Sequence, residues 1–315
     1  PATTVNKVCL SGLDAIYQAD RRIRSGDAEI VVAGGMESMT NAPHLLPGAR
    51  AGYRIGDGAI IDSMMYDGLY CAFDQCAMGE GTEKYAQAHG LVREHMDAMA
   101  AESHRRADAA QQSGLFDGEI VPVTVPQRRG DALIVGHDEG VRGETTIESL
   151  AGLRPAFDKQ GHITAGNASQ ISDGASAMVV TTAAVAERLG VKPLAEIIGY
   201  GQVAGPDASL LHQPSNAIKA AVDRAGLTVG DVDLLEINEA FAAVGVASAD
   251  DLGVPMDIVN VNGGAIALGH PLGMSGNRVA LHLALELARR GGGTGAAALC
   301  GGGGQGDAIL LRVAG

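Results

Sequence analysis

What the chain has little of narrows it first. Tryptophan is absent and aromatic residues fill 3% of the 315 positions. Ala, Val, Leu, Ile and Met must therefore fill the core, as where helices pack closely on a sheet. Four cysteines, at positions 9, 71, 76 and 300, are too few for a disulfide scaffold of this size. None lie in a C-x-x-C pair, and Cys71 and Cys76 have no histidine at zinc-finger spacing. Free thiols in a reducing, cytoplasmic compartment and no metal site are the simpler expectation. Positive charge is scarce: 23 Lys and Arg against 37 Asp and Glu leave a net charge of −14. That makes nucleic acid and anionic membrane poor partners, although a few arginines suffice for a small anion. The sequence contains no apolar run of membrane length and no signal-peptide pattern. It has no P-loop G-K-[ST] and no G-x-G-x-x-G fingerprint after a strand. It opens Pro1-Ala2-Thr3-Thr4-Val5, a pattern read as leading straight into a strand, which suggests a segment missing in front.

Glycine is abundant, with 45 residues and no collagen period. The densest stretch runs from Val261 to Arg278, V-N-G-G-A-I-A-L-G-H-P-L-G-M-S-G-N-R, and reads as a long loop too glycine-rich for a helix. Its single histidine, His270, is pinned between Gly269 and Pro271. Such a loop either presents a histidine to a site or is merely structural.

Around it the pattern is α/β. Val5–Val8 reads as a strand, Leu13–Arg24 as a helix, and Glu29–Ala33 as a strand ending in Gly34-Gly35. Cys9 falls at a strand-to-helix junction, where helix N–H groups favour a thiolate; a buried structural cysteine is the alternative. From Met36 to about Gln170 the texture is irregular, like an inserted cap. It holds a hairpin over Tyr53–Ile61, a helix over Val92–Ser113 and a strand over Glu119–Val125. Arg142, Arg154 and Lys159 are its candidate anion-binding groups. Strands follow over Ala175–Thr181, from Leu194, and over Val232–Ile237, Ile258–Val261, Ala296–Leu299 and Ala308–Val313. Helices are expected over Ala183–Leu189, Asn216–Ala225 and Val279–Arg290, and from Ala240. Asn238-Glu239 ends a buried strand, the place where α/β folds put site groups; Asn238 also suits a helix N-cap.

Ser11-Gly12, helix, strand, Gly34-Gly35 recurs as Ser275-Gly276, helix, strand, Gly301-Gly302, an internal repeat of one α/β unit. A pseudo-two-fold would bring Cys9, His270 and Cys300 to one centre. A cysteine with a histidine to take its proton is a nucleophile suited to a thioester carbonyl. A second cysteine makes sense where a second proton moves, such as one α to a carbonyl. The glycines at 301–304 can offer N–H groups to an oxyanion.

The motifs V-N-K-V-C-L-S-G (5–12), V-V-A-G-G-M-E-S-M (31–39), G-N-A-S (166–169), N-E-A-F-A (238–242), V-N-V-N-G-G-A-I-A-L-G-H-P-L-G (259–273) and C-G-G-G-G-Q-G (300–306) span nearly the whole chain. In that order the chain resembles the thiolase family, and within it the acetyl-CoA acetyltransferase branch. The resemblance implies duplicated α/β halves layered α-β-α-β-α: residues 1–39 with 172–192 as the N-terminal half, incomplete at its start, 40–171 as the loop domain, and 193–315 as the C-terminal half. It implies an acyltransferase that condenses two acetyl-CoA to acetoacetyl-CoA, or cleaves it, through an acyl-cysteine.

Cys9 would be the nucleophile. His270 would activate it and, with a water on Asn238, form one oxyanion hole. Cys300 would be the acid/base, and the N–H groups of Cys9 and Gly302 the second hole. Glu239 would orient the surroundings of Asn238. Arg142, Phe157, Ser169, Leu69 and Met78 would contact CoA, with Ala240 and Phe241 at the acyl end. The resemblance calls for no cofactor besides CoA as substrate, and for a homo-oligomer, a dimer or dimer of dimers. The 53–61 hairpin falls at the tetramer contact.

The chain departs from the pattern at Leu10, expected to reshape the pocket beside Cys9, at Ala77 and at Gln305. A degradative 3-ketoacyl-CoA thiolase of broader chain length remains the alternative. A non-catalytic thiolase-like protein that binds acyl-CoA or lipid is the second, although binding alone needs neither cysteine nor histidine.

Overall fold

A computed structural model describes residues 1–315. In chain order the first elements are α1 (Ser11–Arg24), β1 (Ile30–Ser38), β2 (His44–Leu45) and β3 (Ile61–Asp62). β4 (Tyr70–Cys71), β5 (Cys76–Ala77), α2 (Met78–Ala88), α3 (Arg93–Gln112), β6 (Val123–Val125), β7 (Leu133–Val135) and α4 (Ile147–Ala151) follow. The rest are β8 (Asp173–Thr181), α5 (Ala183–Leu189), β9 (Glu196–Ala204), α6 (Gln213–Arg224), β10 (Leu234–Ile237), α7 (Ala242–Leu252), α8 (Ala265–Leu268), α9 (Leu272–Arg289), β11 (Gly293–Gly301) and β12 (Gln305–Val313).

β1 pairs antiparallel with β8, Ile30 opposite Thr181 and Ser38 opposite Asp173. The main sheet runs β10-β11-β12-β9, parallel between β10 and β11 and antiparallel elsewhere. Alternation along its strands divides the core. Ala297, Leu299, Ile309 and Leu311 face one side, where they pack with Leu13, Ile16, Val279 and Leu283 of α1 and α9. Ala296, Ala298, Ala308 and Leu310 face the other, against Ala217, Ile218 and Val222 of α6. α1 and α9 thus lie between the β1–β8 pair and the main sheet, and the order is β-α-β-α. The outward face of the β1–β8 pair is solvent-exposed at Val32, Met36 and Val179. A further cluster joins α3, α7 and the 150–163 segment through Met96, Ala100, Leu150, Ile163 and Val244, and it includes Cys300.

The two central helices meet at their N-termini, and glycine makes this possible. A Cβ on Gly12 would lie 2.7 Å from the Asn277 nitrogen and 2.9 Å from the Gly273 oxygen. A Cβ on Gly276 would lie 2.4 Å from the Leu13 nitrogen. Each repeat-equivalent glycine therefore seats the other helix, and Cys9, three residues ahead of Gly12, and His270, six ahead of Gly276, are brought toward one another. Gly276→Ala is expected to cost about 1–3 kcal/mol because backbone cannot rotate away, outweighing the roughly 1 kcal/mol gained in helix propensity. Urea unfolding measures it, and a neutral result would show slack in the crossing.

Several local expectations change. Val5–Val8 forms no strand: the Lys7 and Val8 carbonyls accept from the Leu10 and Ser11 amides at 3.1 Å. Val8 sits at φ 53°, a strained value for a β-branched residue, so Cys9 rides on a tight turn. β1 continues through Gly34-Gly35 to Ser38 because β8 pairs with it throughout. Residues 53–61 do not pair with one another as a hairpin; the pairing is between β2 and β3, Leu45 opposite Ile61 and His44 opposite Asp62, with 46–60 as the loop between them. Ile258–Val261 keeps only one bridge, Val259 to Leu235, since Asn260 turns at φ 47°. The supposed glycine loop folds largely as α8 and the first turns of α9, which begins seven residues before the expected Val279. Tertiary packing of Gly273 and Gly276 outweighs their poor propensity. α2 carried no helix expectation.

Candidate active site

Cys9 precedes α1 and is half-buried. Its thiol is pushed up to about 11, by burial first, against the backbone amides of Gly302 and of Cys9 itself, which face the sulfur and stabilise its anion; Glu37 raises it further. Cys300, near the end of β11, is 1% exposed. Its thiol is raised by burial and then by Cys9, so the two sulfurs are electrostatic neighbours. Both are thiols at rest near neutral pH.

Asn238 follows β10, where its amide donates to the Ala298 carbonyl at 2.9 Å. That bond puts it beside the strand carrying Cys300. It is not the N-cap expected for a helix from Ala240: α7 begins at Ala242 after Phe241. The Asn238 Nδ2 lies 3.4 Å from both ring nitrogens of His270, too far for a strong bond. Its buried Oδ1 has no partner within the chain, an orphan acceptor that a substrate group or a water would satisfy.

His270 is buried and its imidazole is lowered to about 4, by desolvation first and then by Arg278. Its Nδ1 is 2.6 Å from Ser275 Oγ, whose hydroxyl donates to the Pro271 carbonyl at 3.0 Å. With that proton spent, Ser275 accepts from Nδ1–H, which leaves Nε2 as the basic nitrogen. Glu37 accepts from the Gly273 amide at 3.0 Å, a carboxylate on the N-terminus of α9.

Glu239 makes no direct bond to Asn238, but it holds Asn260, whose side-chain amide bonds both the N–H and the carbonyl of the adjoining Ile237 at 2.8 Å and so orders the backbone beside Asn238. It reaches across to the histidine segment, accepting from Asn260 Nδ2 at 2.8 Å, the Ile266 amide at 3.1 Å and Ser103 Oγ at 2.6 Å. Ser103 Oγ in turn accepts from the Gly264 amide. Every partner of Glu239 is a donor, and its carboxyl is raised by burial. Glu239→Gln would turn an amide N–H₂ on one of those donors. We expect a loss of about 1–3 kcal/mol and a fall in kcat larger than any rise in KM, read by denaturant unfolding and steady-state kinetics.

Met78, at the start of α2, lies over the site: a Cβ on Gly302 would meet its Cε at 2.4 Å. Phe157 packs on Gly79 of the same helix and stands edge-on to Phe241 at 6.3 Å. Ser169 donates to the Ala240 carbonyl through its amide at 3.1 Å and its Oγ at 3.0 Å. Met78, Phe157, Phe241, Ser169 and Ala240 therefore form one group. Leu69 closes a π-helical turn over Met64–Leu69, and its neighbour Gly68 abuts Leu272. Arg142 is anchored through its amide, which donates to His104 Nδ1 of α3 at 3.2 Å.

Leu10 does not reshape the pocket; it is fully buried beneath Gly301. Ala77 is the N-cap of α2, its amide bonded to Glu80. Gln305 donates to the Gly302 carbonyl at 3.0 Å, bracing the glycine turn. Sequence reasoning missed Ser275, Arg278, Ser103 and Glu37. A helix begun at Leu272 would have put Ser275, Arg278 and His282 on one face. Ser103 and Glu37 carried no signal of their own. No group of three or more His, Cys, Asp or Glu is placed to hold a metal ion, and no helix is long and apolar enough to cross a membrane.

Two thiols beside two oriented amides, with a buried uncharged imidazole and an orphan amide oxygen, are groups suited to acyl transfer. Comparison with known proteins places the chain. Residues 1–184 match the thiolase N-terminal domain and residues 191–313 the thiolase C-terminal domain. A probable acetyl-CoA acetyltransferase of Mycolicibacterium smegmatis is 57% identical over 99% of this chain and 80% of its own length. The acetyl-CoA acetyltransferase of Cupriavidus necator is 50% identical over 99% and 79%. The crystal structure of human mitochondrial 3-ketoacyl-CoA thiolase superposes with a TM-score of 0.95 at 39% identity, covering 100% of this chain and 79% of that one. The chain belongs to the thiolase family of acyltransferases.

Proposed function

We propose that the protein catalyses the reversible Claisen condensation of two acetyl-CoA to acetoacetyl-CoA and CoA, through an acetyl group on Cys9. The observation that carries this is the pairing of two thiols, half-buried Cys9 and buried Cys300, at one centre. A hydrolase needs one thiol, whereas carbon–carbon bond formation needs a second group to move the α-proton.

His270 Nε2 takes the Cys9 proton as the sulfur attacks the thioester carbonyl, and the Cys9 and Gly302 amides receive the oxyanion. Cys300 starts as a thiol, so it gives its proton to the departing CoA sulfur and becomes a thiolate facing the imidazolium. That thiolate then removes the α-proton of the second acetyl-CoA. His270 and the Asn238 side hold the enolate oxygen. The carbanion attacks the Cys9 thioester, acetoacetyl-CoA leaves, and the Cys9 sulfur recovers its proton from His270. Each proton is returned within one turnover.

Met78, Phe157, Ser169 and Phe241 are positioned for the pantetheine and acyl end; Arg142 and Leu69 complete the proposed CoA contacts, and no cofactor takes part. The four free thiols suit a reducing compartment, and the reading places the enzyme in the cytoplasm as a dimer or dimer of dimers. The exposed Leu46, Tyr53, Ile55 and Ile60 between β2 and β3 are its tetramer contact.

The likeness to a 3-ketoacyl-CoA thiolase favours a second reading, degradative cleavage of longer chains with the same residues. Thiolysis of acetoacetyl-CoA beside longer 3-ketoacyl-CoAs decides: a preference for the four-carbon substrate supports the first reading, a preference for longer ones the second. An acetyl adduct mapped to Cys9 by mass spectrometry tests both. Its absence from folded protein would overturn the catalytic reading.

A further inference from the structure

α9 carries a buried polar stripe that the catalytic cycle above does not use. Ser275, which holds the His270 ring, is followed one turn later on the same face by Arg278 and then by His282. Opposite them on β10 is Glu236, two residues before Asn238 and so on the same strand face. Arg278 Nη1 is 3.9 Å from Glu236 and His282 Nε2 is 4.0 Å from it. The His270–Asn238 pair, just ahead of α9 and just past β10, and the Arg278–Glu236 pair, on α9 and β10 themselves, thus lie in succession along the same two segments.

The Arg278–Glu236 pair is odd for a structural ion pair. Both terminal nitrogens of Arg278 are buried and make no hydrogen bond. A buried guanidinium is tolerated when its donors are spent on partners; this one spends neither Nη group. Its positive charge is left to act on its surroundings through a low-dielectric interior. Burial also pushes the Glu236 carboxyl up to about 7, so in acid Glu236 is neutral and cancels none of that charge. The other charged groups around the stripe are Asp138 and His137 from the segment after β7, Glu119 on His282 at 2.9 Å, and Glu239 beyond Asn238. Glu286 lies one turn further along α9, engaged by Arg289 and Arg290, and Glu37 sits at the helix start. The His270 imidazolium is disfavoured by burial first, and among these groups Arg278 adds to that as a like charge.

We propose that Arg278 is a positioning residue for His270: from one turn along α9 its unspent guanidinium keeps the buried imidazole uncharged, so that Nε2 enters the cycle as a base. This rests on the catalytic reading above. Without the cation, His270 gains a proton at higher pH and the base is lost sooner as pH falls.

The test is the pH dependence of Cys9 acetylation by acetyl-CoA, followed by mass spectrometry between pH 4 and 8. In the unsubstituted protein the rate falls only toward about 4, as His270 charges. Arg278→Met is expected to move that acid limb up by about one pH unit, some tenfold in rate on the limb, and Arg278→Lys to leave it near its original position. Glu236→Gln disturbs the same pair yet leaves the limb in place, because Glu236 is already neutral there. If Arg278→Met does not fold, Arg278→Gln combined with Glu236→Gln removes both partners together and must show the same upward shift.

A limb that stays put in the folded variants lacking Arg278 would overturn the inference. So would an equal upward shift in Glu236→Gln, which would mark loosening of the pair and not charge. Failure of the unsubstituted protein to acetylate at all would instead sink the catalytic reading.

Discussion

Cys9→Ser is expected to abolish the acetyl adduct and to lower acetoacetyl-CoA thiolysis by at least about 10³-fold, the scale of removing a nucleophile. The serine hydroxyl keeps the volume and the two amides, but at rest it is a far weaker acid than a thiol. The imidazole partner makes the loss severe: a base held near 4 cannot take a proton from an alcohol at useful rates. Stability should change little, since the side chain is half-buried and the turn at Lys7–Ser11 is held by backbone bonds. Mass spectrometry after exposure to acetyl-CoA, with urea unfolding beside it, reads both. Retained activity in a folded serine variant would show that another group carries the acyl chain.

Cys300→Ala separates the two half-reactions. Cys9 and its amides remain, so the acetyl adduct should still accumulate, more slowly because the departing CoA sulfur loses its proton donor. Condensation and thiolysis should fall by at least about 10³-fold. Exchange of the acetyl-CoA methyl protons with deuterated solvent should stop, because no group is left to remove them. Exchange at the original rate would assign the α-proton to another base and unseat Cys300 from its role. The substitution also trims a fully buried side chain, at a stability cost of about 1–2 kcal/mol, and calorimetry accounts for that part.

Much of the site was legible because its chemistry demands particular residue types at element ends. A cysteine before a helix, a histidine locked between glycine and proline, and a cysteine ahead of a glycine run are local facts. The repeat tied them together before any coordinate did. The supporting residues were less legible. Glu239 looks like a neighbour of Asn238 in sequence, yet its carboxylate serves Asn260, Ile266 and Ser103, which lie 21, 27 and 136 residues away. Leu10 sits next to Cys9 in sequence, but as the first residue of the turn into α1 it packs in the core beneath Gly301.

By itself the sequence determined the α/β class and the family, and it singled out the candidate reacting groups. These follow from periodicity, from residue chemistry and from motifs whose spacing is carried along the chain. Only the tertiary structure decided where α9 begins, which face of it lies under the histidine, and which nitrogen of His270 is basic. The glycines that argue against a helix from Leu272 are the same ones that let α1 and α9 touch backbone to backbone. That contact outweighs their propensity, and its energy arises between residues more than 250 positions apart, where no local pattern records it.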